Sequence, residues 1–209
     1  MNKENINKPN NYYSNVRLDV YKNIEKKQYK SILEIGGGDF QLLSILKEEF
    51  GASCTGVDLV ELEAPNNIDT IVGSIESSAV IEELKERDYD LVIANDVIEH
   101  LVDPAATLKS LRELCQTGAS LHISVPNIRQ VRALFHIFLR GTFPSNDSGL
   151  FDRTHLHWFC KKDILDLVEI SGFNVESVYI KGRFVPDFLR TSFIAEFIGL
   201  QTVVIAKAV

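Results

Sequence analysis

Three consecutive glycines, Gly36, Gly37 and Gly38, follow a short apolar run over residues 31–35. Glycine has no Cβ, so such a turn lets the backbone approach a ligand closely, and a following helix offers N–H groups at its start. Asp58 lies 20 residues beyond Gly38, where a carboxylate can accept both hydroxyls of a ribose. The pattern indicates a nucleoside cofactor. The alternative is a purely structural turn, with Asp58 as a helix cap or a surface charge.

The residues around this turn narrow the choice of cofactor. The dinucleotide fingerprint requires glycine at its first, third and sixth positions, and the sixth position counted from Gly36 is Gln41. A nicotinamide dehydrogenase is therefore disfavoured. Glu34, two places before Gly36, can bind an ammonium group directly or through water. The sequence thus favours a cofactor that carries an ammonium group.

Two histidines are suited to accept a proton near neutral pH. His155 lies at the end of a long insertion that should overhang the cofactor, and Asp152 could orient its ring. His100 follows the fourth predicted strand, where a structural role in the turn is the favoured interpretation. His155, His157 and Cys160 lack a fourth ligand for a closed zinc site, so no metal is predicted.

The insertion also carries a concentration of positive charge. A helix over residues 128–140 would place Arg129, Arg132, His136 and Arg140 on one face. Three interpretations stay open: a solvated face, recognition of a phosphorylated acceptor, or peripheral contact with an anionic membrane. The apolar residues 183–198 suit a lid, an oligomer contact or a membrane-facing patch.

Alternating strands and helices must position these residues. We predict an α/β fold: a Rossmann-like, doubly wound, mostly parallel seven-stranded sheet with an antiparallel C-terminal edge strand. A single domain is expected over residues 1–209, with residues 1–28 as an N-terminal cap and residues 127–160 as a substrate-side insertion. The predicted strands are residues 31–35, 54–59, 70–72, 89–94, 120–125, 174–180 and 202–208.

Composition limits the partners. The formal net charge is −7, so the chain lacks the basic footprint of a nucleic-acid-binding protein, and no nucleic acid partner is expected. No apolar run reaches the ~20 residues that span a bilayer. The polar first residues do not form a signal peptide, and three scattered cysteines do not indicate disulfides. A cytoplasmic monomer or homodimer is expected.

Several short motifs, in their order and spacing, resemble the class I S-adenosylmethionine-dependent methyltransferases. Within that class they resemble a small subgroup associated with sugar and cell-envelope biosynthesis. The resemblance covers nearly the whole chain. Its motifs are Tyr12-Tyr13-x-x-Val16-Arg17, Leu33-Glu34-Ile35-Gly36-Gly37-Gly38, Val57-Asp58, Tyr89-Asp90-Leu91-Val92, Asp96-Val97-Ile98-Glu99-His100-Leu101, Pro126-Asn127 and Phe151-Asp152-Arg153-Thr154-His155-Leu156.

The resemblance implies S-adenosylmethionine as methyl donor and S-adenosylhomocysteine as product. Two positions depart from the family pattern: Phe40 replaces the last glycine of the loop, which would narrow the pocket or shift the helix start. Ser74 replaces an acidic residue near the adenine. The implied cofactor-binding residues are Glu34, Gly36, Gly37, Gly38, Asp58, Leu59, Ser74, Ile75, Asn95 and Asp96.

The implied reaction is O-methylation of a sugar, nucleotide-sugar or glycan-type acceptor. The alternatives are N-methylation of a small molecule and a non-catalytic partner protein that binds the cofactor. The residues expected to bind the acceptor are Tyr13, Arg17, Arg129, Arg132 and Arg153.

Overall fold

A seven-stranded sheet organises the computed structural model, which describes residues 18–61, 64–65, 68–182 and 185–209. The strands lie in the order β3-β2-β1-β4-β5-β7-β6. Their bounds are β1 Ser31–Ile35, β2 Ser53–Asp58, β3 Asp69–Val72, β4 Tyr89–Asn95, β5 Cys115–Pro126, β6 Phe173–Lys181 and β7 Gln201–Ala208.

The predicted fold class is confirmed. Strands β1 to β5 pair in parallel, and β7 pairs antiparallel with both β5 and β6. The antiparallel C-terminal strand therefore exists as predicted. The sheet places it one strand in from the edge, between β5 and β6.

Helices cover the sheet on two faces. One core cluster joins the sheet to α3, α4 and α6, and a second joins β1, β2 and β4 to α1 and α2. Helix α4 begins with Pro104 after the cap Asp103, whose carboxylate accepts the N–H of Ala106 at 2.9 Å. The helices are α1 Leu18–Tyr21, α2 Gln41–Phe50, α3 Ser78–Leu84, α4 Pro104–Glu113, α5 Val131–Leu134, α6 Lys161–Ile170 and α7 Ala195–Ile198.

The insertion departs from the prediction. A single α-helix over residues 128–140 is wrong, because α5 has only four residues and continues as a π-helix over Phe135–Leu139. Asn127 delays the helix start, since its side-chain oxygen accepts the N–H of Arg129 at 3.0 Å and competes with helical backbone bonding. Among the described residues, every helix is too short or too polar to cross a bilayer.

Candidate functional site

The carboxyl ends of four parallel strands meet at one edge of the sheet. Ile35, at the end of β1, lies level with Val57 of β2 and Ala94 of β4. Asp58, at the end of β2, lies level with Val72 of β3. The loops after these strands therefore stand side by side, which is where open α/β sheets bind ligands.

The glycine turn needs glycine for two physical reasons. Gly36 and Gly38 have φ of 67° and 62°, in the left-handed region that glycine adopts without strain. A Cβ on Gly36 would also lie 2.5 Å from Cγ2 of Val97. The turn is fixed across the sheet edge, because the N–H of Gly36 donates to the Val57 carbonyl at 2.8 Å. Glycine at position 36 therefore makes room for Val97 of the loop after β4.

Phe40 does not block the turn. Its side chain is 3% exposed and belongs to the core cluster between the sheet and α1 and α2. Its ring lies under the turn, since a Cβ on Gly37 or on Gly56 would stand 2.5 Å from it. Phe40 itself has a φ of 55°, and α2 begins at the next residue. The departure from the family pattern thus extends the core below the loop.

Asp58 is positioned by the glycine turn itself. One carboxylate oxygen accepts the N–H of Gly38 and the other accepts the N–H of Val60, both at 3.1 Å. Burial raises the pKa of Asp58 above its ordinary value, and these backbone N–H groups oppose the rise. The adjacent Leu59 is largely exposed. A half-buried carboxylate beside the glycine turn can accept hydrogen bonds from the hydroxyl groups of a ligand.

The remaining predicted cofactor residues lie in the same set of loops. The Glu34 carboxylate is buried directly beneath Gly37. Ser74 follows β3, and its hydroxyl accepts the N–H of Glu76 at 3.2 Å. The side chain of Ile75 belongs to the core, so only its backbone can face a ligand.

Asn95 and Asp96 close this edge of the sheet. Asp96 has a φ of 56°, and its N–H donates to the Ser124 carbonyl at 3.0 Å. Its carboxylate accepts a hydrogen bond from Nε2 of Gln201 at 2.6 Å. The Asn95 side-chain oxygen lies 3.2 Å from Nδ1 of His122. Gln201 was not among the predicted residues, because only the position of β7 beside β5 brings it here.

The residues present fit S-adenosylmethionine. Glu34, Asp58 and Asp96 give the loops three carboxylates, which suits a cofactor that carries an ammonium and a sulfonium group. The left-handed backbone at Gly36 and Gly38 gives the tight turn that lets a ligand approach the main chain. Glu34 and Asp96 would hold the ammonium end and Asp58 the ribose.

The structure brings the two predicted histidines together. The ring centroids of His100 and His155 are 4.7 Å apart, and Nε2 of His155 lies 3.9 Å from Oε1 of Glu99. Nδ1 of His100 donates to the Thr154 carbonyl, and Nδ1 of His155 donates to the Leu150 carbonyl, each at 3.0 Å. In each neutral ring, Nε2 is therefore the basic nitrogen.

We call Glu99, His100 and His155 the histidine cluster. Glu99 and His155 are buried, whereas His100 is partly exposed. Their ligand atoms all lie within 4.8 Å of one another, which is a different grouping from the His155, His157 and Cys160 considered above. Glu99 adjoins His100 in the sequence, but its partnership with His155 depends on the fold.

Backbone bonds hold the insertion against this cluster. The N–H groups of Leu156 and His157 donate to the Glu99 carbonyl at 2.8 and 3.0 Å. Asp152 shapes the turn that carries His155: one of its carboxylate oxygens accepts both the N–H and the hydroxyl of Thr154, at 2.9 and 2.6 Å. The two segments therefore form one rigid corner.

The arginines of the predicted basic face have different surroundings. Arg129 pairs with the buried Glu196, and its guanidinium lies 4.8 Å from the ring centroid of Phe197. Arg132 is exposed in α5, and Arg140 lies 5.4 Å from the Phe135 ring. The shared basic face expected for Arg129, Arg132 and Arg140 is wrong, because Arg129 precedes the helix and the π-helix changes the rotation of Arg140.

Of the other predicted acceptor residues, one is described and two are not. Arg153 is exposed and pairs with Asp147. Tyr13 and Arg17 lie outside the described residues. The insertion and the residues before β7 carry many exposed apolar side chains, namely Val131, Phe135, Phe138, Leu139, Phe143, Leu156, Trp158, Phe188, Phe193, Ile194, Ile198 and Leu200.

The strand order, the glycine turn and the acidic strand ends together define a class I S-adenosylmethionine-dependent methyltransferase. The chain belongs to the methyltransferase domain family, whose model matches residues 12–178. A curated relative, the ubiquinone biosynthesis O-methyltransferase of Nitrosospira multiformis, is 27% identical over 177 residues. That match covers 74% of this chain and 71% of the relative.

Solved structures show the same fold. A SAM-dependent methyltransferase from Archaeoglobus fulgidus matches with a TM-score of 0.63 at 21% identity, covering 91% of each chain. A Thermotoga maritima protein described as a possible histamine N-methyltransferase matches with a TM-score of 0.62 at 16% identity. That match covers 92% of this chain and 87% of the other. The names of the curated relatives do not support the predicted sugar and cell-envelope subgroup.

Proposed function

We propose that the chain methylates a hydroxyl oxygen on an apolar, aromatic small molecule. The observation that carries this proposal is the histidine cluster, which begins three residues after Asp96. A hydroxyl acceptor must lose a proton as its oxygen takes the methyl group, and a positioned histidine is suited to remove it. An amine acceptor does not need a strong base.

The cofactor supplies a methyl group on a positively charged sulfur. The acceptor oxygen forms the new bond to carbon as the carbon–sulfur bond breaks, which leaves S-adenosylhomocysteine. The hydroxyl proton passes to Nε2 of His100, the partly exposed ring of the cluster. His155 and the buried Glu99 lie behind it, and a buried carboxylate stabilises positive charge on a neighbouring ring.

We call the surface formed by the insertion the acceptor side. Its side chains favour an apolar substrate over the predicted sugar. Phe135, Phe138 and Phe143 are exposed on the insertion, and Trp158 is packed edge-on to Phe143 with centroids 4.8 Å apart. Aromatic rings offer flat apolar surface, whereas a sugar requires many directed hydrogen bonds. The O-methyltransferase names of the curated relatives agree with an oxygen acceptor.

A mixed-acceptor assay tests this proposal. The purified chain is incubated with S-adenosylmethionine bearing a deuterated methyl group and equal amounts of a catechol, a nucleotide sugar and histamine. Mass spectrometry should find the label as a methyl ether on the catechol. Label on the nucleotide sugar would restore the sugar acceptor predicted from the sequence, and label on histamine would replace O-methylation by N-methylation. The variant Asp58→Ala is the control for dependence on the cofactor.

A further inference from the structure

Gln201 lies beside the cofactor loops although it is 105 residues further along the chain than Asp96. It is the first residue of β7 and pairs with Pro126 of β5 and Lys181 of β6. Its side-chain Nε2 donates to Oδ1 of Asp96 at 2.6 Å. The hydrogen bond therefore joins the loop after β4 to the start of β7, across the end of β5.

Asp96 is a residue whose conformation must be held by its surroundings. Among the described residues, it and Phe40 are the non-glycine residues with positive φ. Such a backbone persists only where neighbouring contacts fix it, and it is concentrated at functional sites. The Ser124 carbonyl fixes the Asp96 backbone. The amide of Gln201 fixes the side chain, because one hydrogen bond to a carboxylate oxygen restricts the rotation of the whole group.

Gln201 is in turn held firmly. Asn127 is buried, and its N–H donates to the Leu200 carbonyl at 2.9 Å. Its side-chain amide donates to the carbonyls of Glu196 and Gly199 at 2.8 and 3.0 Å. These bonds clamp the turn that precedes β7, so the Gln201 side chain starts from a fixed backbone. A restrained donor is what the orientation of a ligand-binding carboxylate requires.

We propose that Gln201 is a positioning residue, which holds the Asp96 carboxylate in the orientation that binds the methionine end of the cofactor. The proposal rests on the assignment of Asp96 to the cofactor site. The amide is chemically suited to this role because it donates a hydrogen bond without neutralising Asp96. A glutamate of the same shape would instead repel it.

The test measures S-adenosylhomocysteine binding by titration calorimetry, which needs no acceptor. In Gln201→Leu, the loss of a hydrogen bond to a charged group should weaken binding by about tenfold or more. Gln201→Glu is nearly isosteric, and the ratio of its affinity to that of the wild type at the same pH should be lowest at alkaline pH and should recover on acidification. Recovery follows because a protonated Glu can again donate to Asp96. The exposed Gln116→Glu carries the same charge change and should bind like the wild type.

The pH dependence separates positioning from a merely structural role. If Gln201 only stabilises β7, both variants should lower the melting temperature while the affinity of the folded protein shows no recovery on acidification. That result overturns the proposal. The proposal also fails if both Gln201 variants bind S-adenosylhomocysteine like the wild type while Asp96→Ala binds it weakly. If Asp96→Ala also binds like the wild type, the assignment of Asp96 to the cofactor fails together with the proposal.

Discussion

The cofactor side and the acceptor side of this molecule are built in different ways. Around the proposed cofactor site, short loops at the ends of β1, β2 and β4 are held by bonds from backbone N–H groups, as from Gly36 to the Val57 carbonyl and from Gly38 to the Asp58 carboxylate. Around the proposed acceptor surface, backbone bonds such as those from Leu156 and His157 to the Glu99 carbonyl are joined by side-chain pairs, as between Arg129 and Glu196. Asp58 and Asp96 are partly exposed on the first side, and Phe135, Phe138 and Phe143 are exposed on the second.

This difference shows which recognition problem each side solves. A donor that never changes is bound by geometry that the sheet imposes, so backbone contacts at strand ends suffice. An acceptor that varies among methyltransferases is bound by side chains on an insertion, which can change without disturbing the sheet. The histidine cluster lies where the two sides touch, since Glu99 follows β4 and His155 belongs to the insertion.

Substitutions in the histidine cluster, where the two sides meet, should have the largest effect on activity. Replacing His100 by Ala should lower the rate of methyl transfer by roughly 10²–10⁴-fold while S-adenosylhomocysteine affinity hardly changes, because a general base acts only in the chemical step. Steady-state kinetics with the acceptor identified above measures it. His157→Ala is the matched control, since that ring stacks on Phe159 outside the cluster. If His155→Ala loses methyl transfer and His100→Ala does not, the base is His155, as the sequence indicated. If the rate falls less than tenfold in both variants, the cluster has a structural role.

The next prediction compares how much stability each side loses when an aromatic ring is removed. Phe40→Ala removes a buried ring below the cofactor loop and should lower the free energy of unfolding by about 3–5 kcal/mol. The exposed Phe138→Ala on the acceptor side should stay within about 0.5 kcal/mol of the wild type. Urea denaturation measures both.

A second substitution checks the contact under the loop. Gly56→Ala places a Cβ 2.5 Å from the Phe40 ring and should cost about 1–3 kcal/mol. The same change should cost less in the Phe40→Ala background, because the ring is gone. An undiminished cost there would mean that the Phe40 ring does not occupy this space.

The cofactor side should also respond to pH through Asp58. Asp58→Ala should weaken S-adenosylhomocysteine binding by about 1.5–3 kcal/mol if the ribose bonds to a charged acceptor are lost. Since burial raises the pKa of Asp58, wild-type affinity should begin to fall on acidification at a higher pH than an ordinary aspartate would give. Asp58→Asn should lack that fall. For the protein without ligand the sign is reversed: a raised carboxyl pKa lowers stability as pH rises through it.

The smallest effect is expected from the exposed arginines. Reversing the charges of Arg132 and Arg140 should change the KM of the uncharged catechol acceptor at most a few-fold and leave cofactor affinity unchanged, because an uncharged acceptor does not pair with arginine. A larger, salt-sensitive rise in the KM of a negatively charged acceptor would restore the phosphorylated acceptor considered from the sequence. Lys109→Glu is the control, since Lys109 is exposed on α4. Loss of liposome binding alone would make the arginines a membrane contact, and no change would leave them solvated. Arg129 is omitted because its pairing with Glu196 would confound the result.

The cofactor side was predictable because its signals are local. Glycine spacing and the acidic residue at the end of β2 identify the loop, and apolar runs locate β1 and β4 to within a residue. The acceptor side was less predictable, because hydrophobic periodicity cannot show that Asn127 delays a helix or that a π-helix precedes Arg140. Gln201 carries no local signal at all, since its partner is set by strand order.

The place of β7 has a consequence for how the protein assembles. β7 follows β6 along the chain but lies between β5 and β6 in the sheet. β5 and β6 are therefore not hydrogen-bonded to each other. During synthesis the first five strands can associate as they emerge, whereas β6 must wait until residues 201–208 leave the ribosome. A nascent chain that stops before Gln201 would therefore carry the glycine turn and Asp58 but an unsupported Asp96. Cofactor binding should thus be acquired late, and a newly made chain would expose the side of β5 that awaits β7 to chaperones and to aggregation.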